Sequence, residues 1–251
     1  MNKGLLRIFL FITTFLLGCK KDSNLIVKEK PALILQAGYD DNESEDFKYY
    51  SDSTYTFYIK RIEFNYEKIE KFNGFCHLKN DTLYFTPFEF KPTQSEKAIL
   101  KNNFIEFIGE HSSYRLEIKK NKTSIKSKLN FKNIKDLAVF TYYPESEKSN
   151  YKQYDLNQSE LEKANEILEK CFKENKLRLR KSSEYVKQCI AVKNINNEIE
   201  VWVSCYCKSS FTKNGYKFYL IDMNDGGNCN ISIKINITKG TYSELQIAGL
   251  A

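Results

Sequence analysis

The chain has 251 residues, a formal net charge of +7 and only two histidines, with 18 Phe and 17 Tyr against 10 Gly and 4 Pro. So many aromatic residues with so few turn formers argue against a disordered chain and favour packed β structure. The cations are scattered, and neither a glycine-rich phosphate loop nor an aromatic RNA-binding signature occurs, so no nucleic-acid partner is expected.

Along the chain, Lys3 and Arg7 come first, then an apolar run from Ile8 to Leu17, then Leu16-Leu17-Gly18-Cys19. The run is shorter than the roughly 20 apolar residues that span a bilayer, and it has the size of the apolar core of a signal peptide. A small residue directly before a cysteine at this place resembles the signal of bacterial lipoproteins. The resemblance implies cleavage before Cys19, a diacylglycerol on its thiol and an acyl chain on its amine. The expected partner is then the lipid bilayer, through the Cys19 acyl chains, which hold firmly because each buried CH₂ contributes about 0.8 kcal/mol. No Asp follows Cys19, which by the same resemblance favours the outer membrane. Lys20-Lys21-Asp22 is loosely similar to the charged surface-export signals of Bacteroidota lipoproteins, and the periplasmic and surface faces both stay open.

Residues 19–53 are expected to form the lipid anchor and a tether, because they start polar and end in the acidic run Asp40 to Asp46, with the short apolar Leu33-Ile34-Leu35 as a docked strand within them. Residues 54–130 predict a β-rich meander. Lys79-Asn80-Asp81-Thr82 is a good hairpin turn between Phe75–Leu78 and Leu83–Phe85. Pro87 and Pro92 interrupt Phe88-Glu89-Phe90 and make that piece an edge or loop. Phe104–Ile108 and Tyr114–Ile118 predict a second hairpin. The alternation Tyr114-Arg115-Leu116-Glu117-Ile118-Lys119 reads as a strand with one solvated, charged face.

Residues 131–251 predict a helix followed by an antiparallel sheet. Asn157-Gln158-Ser159-Glu160 is a capping box, and Leu161, Ala164, Ile167, Leu168, Cys171 and Phe172 recur at helical spacing up to about Asn175. Strands are expected at 185–193, 199–207, 216–223, 229–238 and 242–247. The fold class is therefore α+β, a β-rich meander followed by a helix-plus-sheet unit. Val201-Trp202-Val203-Ser204-Cys205-Tyr206-Cys207, the turn Asp225-Gly226-Gly227 and the ending Ala248-Gly249-Leu250-Ala251 resemble an uncharacterised family of Bacteroidota lipoproteins. That family has Trp-x-x-Cys-x-Cys, an Asp-Gly-Gly turn and a terminal Asn-Gly-x-Ala; this chain carries Ala248 in place of the Asn. The resemblance covers about the last 100 residues and implies no activity.

Strand alternation places Val201, Val203, Cys205 and Cys207 on one face, and Cys229 with Ile231, Ile233 and Ile235 on another. With Cys171 on the apolar side of the helix, four thiols point toward one core. A disulfide among Cys171, Cys205, Cys207 and Cys229 suits an oxidising compartment, and the pairing is not readable from sequence. Buried free thiols acting as small hydrophobes are the second reading. A thiolate metal site is the third, although Cys-x-Cys lacks the spacing of a zinc knuckle. His77 follows Cys76 on a strand, so the two face opposite ways, and His111 falls in a turn; neither flank matches a hydrolase motif. Asp222 to Asn228 is only faintly like a calcium loop; Gly226-Gly227 reads better as a turn linking two central strands. No cofactor and no metal are expected. The expected role is that of a non-enzymatic, lipid-anchored protein of the cell envelope with a structural or binding task, such as holding an envelope protein partner. Two other readings are carried forward: a small-ligand binder with a β-cavity lined by Tyr55, Phe57, Tyr84 and Phe85, and an envelope hydrolase using His77 or His111.

Overall fold

The computed structural model describes residues 30–38, 42–64, 66–86, 96–108, 114–144, 148–210 and 214–249. Cys19, His111, Pro87 and Pro92 lie outside the described residues. The fold is α+β: among the described residues it is mostly strand, with one long helix.

Eight strands form a closed antiparallel barrel in chain order: β1 (Leu33–Gly38), β2 (Glu43–Tyr49), β3 (Thr54–Glu63), β4 (Tyr66–Lys79), β5 (Thr82–Thr86), β6 (Lys97–Lys101), β7 (Phe104–Phe107) and β8 (Tyr114–Asn121). Period-two alternation decides what lies inside. Leu33, Leu35, Phe47, Tyr55, Phe57, Leu83, Ile105, Phe107 and Leu116 are almost fully buried there. An eight-stranded barrel is just wide enough for side chains to fill it. Here an aromatic stack fills it, with the Phe47, Tyr55 and Phe85 rings 5.4–5.9 Å apart. Gly74 stands opposite Tyr55 in the ladder, and a Cβ there would come within 2.8 Å of the Tyr55 ring. The missing side chain is the space that the ring occupies. Asn80 takes φ +57 in the β4–β5 turn, the left-handed conformation that Asn tolerates.

Two expectations are corrected here. The segment assigned to the tether contains β1 and β2, because Leu33, Leu35, Phe47 and Tyr49 bury at alternate positions and β1 pairs with both β2 and β8. Closure removes the sheet edges that an open meander over 54–130 would expose. The acidic run therefore ends inside a strand. Arg61 binds Glu43 at 2.9 Å, and Lys48 binds Asp46 at 3.0 Å.

The second sheet holds β9 (Leu137–Phe140), β10 (Tyr151–Gln153), β11 (Tyr185–Asn194), β12 (Ile199–Cys207), β13 (Asn230–Asn236) and β14 (Thr241–Ile247). Its order is β10-β11-β12-β13-β14, and β9 also lies against β11. The β9 pairing is parallel, so the sheet is mixed rather than antiparallel. Helix α1 (Gln158–Glu174) opens on the capping box: Asn157 accepts from the Glu160 amide at 3.0 Å, and Glu160 accepts from the Asn157 amide at 2.9 Å. Its buried side, Leu161, Ala164, Ile167, Leu168, Cys171 and Phe172, covers the sheet face formed by Val201, Val203, Cys205, Ile231, Ile233 and Ile235. Cys207 and Cys229 form a disulfide, while Cys76, Cys171, Cys189 and Cys205 are buried free thiols. The expected strand at 216–223 is absent. A 3-10 turn, Gly215–Lys217, stands there with an irregular run after it. Gly226 and Gly227, at φ +104 and +54, do stand between two neighbouring central strands, β12 and β13, but they close a long connection rather than a tight turn after a strand at 216–223.

Candidate functional site

A groove of about 800 Å³ runs along the outside of the barrel. Its floor is built by register. Glu117, Gln36, Asp46 and Tyr58 stand opposite one another across β8, β1, β2 and β3, and all point outward. Gly38, Ser44, Lys60 and Ile69 make a second row across β1 to β4. Directly opposed residues share a face and approach to about 5 Å, so the two rows form a continuous polar strip. Gln36 donates to Asp46 at 3.1 Å, and Lys71 lies over the Tyr58 ring at 5.5 Å. Gly38 leaves the floor low: a Cβ there would meet no atom within 4 Å.

The wall of the groove comes from the second unit. Asn214, Lys217 and Phe218 line it, and two buried side chains from different sheets hold that segment. From the barrel, the Arg115 backbone N–H donates to the Phe218 carbonyl at 2.9 Å, and its Nε donates to the Lys217 carbonyl. From the second sheet, Gln188 donates to the Tyr216 and Tyr219 carbonyls, both at 2.7 Å, and accepts from the Ile221 amide at 2.9 Å. These bonds satisfy backbone groups that a ladder would otherwise take, which is why the segment is no strand. Phe218 is 3% exposed and packs with the barrel cluster.

Arg115 was expected on a solvated face; it is 2% exposed. The alternation of β8 is regular, but the second unit covers its outer face. Arg115 stands opposite Glu106 in the β7–β8 ladder. Its guanidinium lies 4.3 Å from the Phe104 ring centre and 3.6 Å from that of Phe140, between two aromatic faces. Nη1 donates to the Val139 carbonyl at 2.6 Å, and Nη2 has no hydrogen-bond partner. Burial lowers the Arg115 pKa to about 10, against the pull of Glu106. Burial likewise raises the Glu106 carboxyl, opposed by Arg115 and by the Thr141 N–H and hydroxyl, which donate to it at 3.1 and 3.0 Å. Lys101 completes the junction by bonding the Thr141 hydroxyl at 3.0 Å and pairing with Asp155. The arrangement orders a wall; it does not assemble an acid, a base and a nucleophile around an open space.

The expected site residues separate. Tyr55, Phe57 and Phe85 are inside the packed barrel at 1%, 0% and 3% exposure. Tyr84 is outside, stacked on His77 with ring centres 5.1 Å apart. They do not line one cavity, because ladder alternation puts Tyr84 and Phe85 on opposite faces. His77 is exposed, and the contact it makes is this ring stack. Of the four candidate disulfide cysteines, Cys207 and Cys229 pair, while Cys171 and Cys205 remain thiols with pKa raised by burial, Cys171 to about 11. Among the described residues no cluster of His, Cys, Asp and Glu could hold a metal ion, and no helix is long and apolar enough to cross a membrane. The groove residues missed at first carried one faint signal, the outward alternation of polar residues on β1, β2 and β8. Comparison with protein-family models, curated proteins and solved structures found no match for this chain.

Proposed function

We propose that this protein is a lipid-anchored component of a bacterial cell envelope, held at the outer membrane through acyl chains on Cys19, with a structural or binding rather than an enzymatic role. In this reading the barrel and the helix-backed sheet are two units, and their shared groove takes a segment of an envelope protein partner. The observation that carries the location is Leu16-Leu17-Gly18-Cys19 behind a short apolar run with two cations before it. The groove supports the binding role. It is open, it sets amide, hydroxyl and carboxylate groups at ladder spacing among apolar side chains, and its wall is fixed before any partner arrives, which lowers the ordering cost of association.

Labelled palmitate fed to cells making the protein should enter the wild-type chain and be lost in Cys19→Ser; label retained in that variant would remove the anchor. The groove has its own test. Gly38→Tyr is chosen to fill the floor, since Gly38 has no left-handed φ and a Cβ there meets no atom within 4 Å. It should leave folding unchanged and abolish capture of any partner that the wild type retains from native envelopes. Equal capture by both would take the groove out of the account.

A further inference from the structure

The β3–β4 hairpin runs on past its pairing with β2. Its ladder continues past Arg61, the last residue paired with β2, through Ile62↔Glu67 to Glu63↔Tyr66. On this projecting end Phe64 is 103% exposed and Tyr66 76%. Phe64 also has φ +50, a conformation that costs a bulky L residue about 1 kcal/mol or more. A solvated ring held on strained backbone contributes nothing to the fold. The cations beside it are already neutralised: Lys60 pairs with Glu67, Arg61 with Glu43 and Glu70, and Lys68 with Glu70.

We propose that Phe64 and Tyr66 at the end of this hairpin rest in the headgroup–acyl boundary of the bilayer, giving the barrel a second, non-covalent membrane contact. This rests on the lipid-anchor reading above. Two rings are too little for a stable protein interface, which needs about 800 Å² from each partner. They are enough for a membrane boundary, where aromatic side chains are enriched singly and in pairs. The reach also fits. Leu33 is level with Tyr49 and Tyr55 in the ladder, and the nine residues from Tyr55 to Phe64 span about 30 Å. The fourteen residues from Cys19 to Leu33 have a contour of about 46 Å, so a chain anchored at Cys19 can bring the hairpin end down to the same membrane. Because the neighbouring cations are paired, the contact is apolar and independent of anionic lipid.

The test uses the full-length protein carrying Phe64→Trp, purified from its own membranes and reconstituted in phosphatidylcholine vesicles with bromine at shallow acyl positions. The wild type, with its single tryptophan Trp202, is the reference. The introduced indole should show a blue shift and a loss of emission to the bromines, both unchanged by high salt, while wild-type emission is unaffected. Emission of a water-exposed indole without quenching overturns the proposal. So does quenching that vanishes in salt, or a blue shift that depends on protein concentration without vesicles, the mark of a second copy. If Cys19 proves bare, the same variant added to vesicles from solution separates the two ideas. Quenching keeps the hairpin contact and drops the anchor; none drops both.

Discussion

The two sheets apply one rule, alternation of buried and exposed positions, and reach different ends. The barrel joins eight strands by consecutive hairpins and closes on itself, so its apolar faces meet at the centre and its edges vanish. The second sheet stays open. It needs α1 over one face, the irregular 214–223 segment over part of the other, and a parallel strand that lies 50 residues upstream of its partners in β11. The barrel core mixes aliphatic side chains with a large share of aromatic rings; the core under α1 is mainly aliphatic, with thiols. The difference shows that an open sheet must borrow cover. Here part of it is borrowed at the junction with the barrel, and the groove wall is a product of that borrowing.

The sharpest way to break the comparison is at the junction. Arg115→Ala should destabilise the protein by roughly 3–5 kcal/mol in chemical denaturation, because Glu106 is left buried without its opposed charge. It should also free the 214–218 segment, read as faster hydrogen exchange at the Lys217 and Phe218 amides, which donate to Asn214 and Gly215. An effect under 1 kcal/mol would mean that the two units are held elsewhere. Within the barrel, Gly74→Ala should cost about 1–3 kcal/mol, since the Tyr55 ring must leave its place, and Gly74→Ala with Tyr55→Leu should recover much of it. No recovery would show that the aromatic stack is not what the glycine accommodates.

The third prediction concerns pH and spans both cores. Burial raises Cys76 in the barrel and Cys189 under α1 from 9.0 to about 12. A thiol whose folded pKa lies above its unfolded value keeps its proton in the native state while the unfolded chain releases it. Its contribution is therefore complete below pH 9 and is lost as pH rises toward 12. Denaturation midpoints should fall through that window, and Cys189→Ala should flatten the fall more than it changes stability at pH 7. A midpoint independent of pH from 9 to 11 would contradict the burial of these thiols.

Much of the second unit was legible in the sequence because its signals are local. The Asn157–Glu160 capping box, the spacing from Leu161 to Phe172 and the alternation of Val201 to Cys207 each act within a few residues. What failed to show was long-range. Alternation assigns faces but not partners, so nothing in Leu33–Gly38 announced that it would pair with Tyr114–Asn121 and close a barrel. For the same reason Arg115 read as solvated: its face was identified, its cover was not. The 216–223 segment misled differently. Its Tyr216, Phe218 and Leu220 alternate like a strand, yet Gln188 and Arg115 take up its backbone groups from either side.

The most direct measurement is the intact mass of the protein taken from its native membrane. The account predicts a chain beginning at Cys19, heavier than its sequence by the acyl groups on that residue and lighter by two hydrogens for the Cys207–Cys229 bond. A mass that still includes Met1 to Gly18, with Cys19 unmodified, would contradict it.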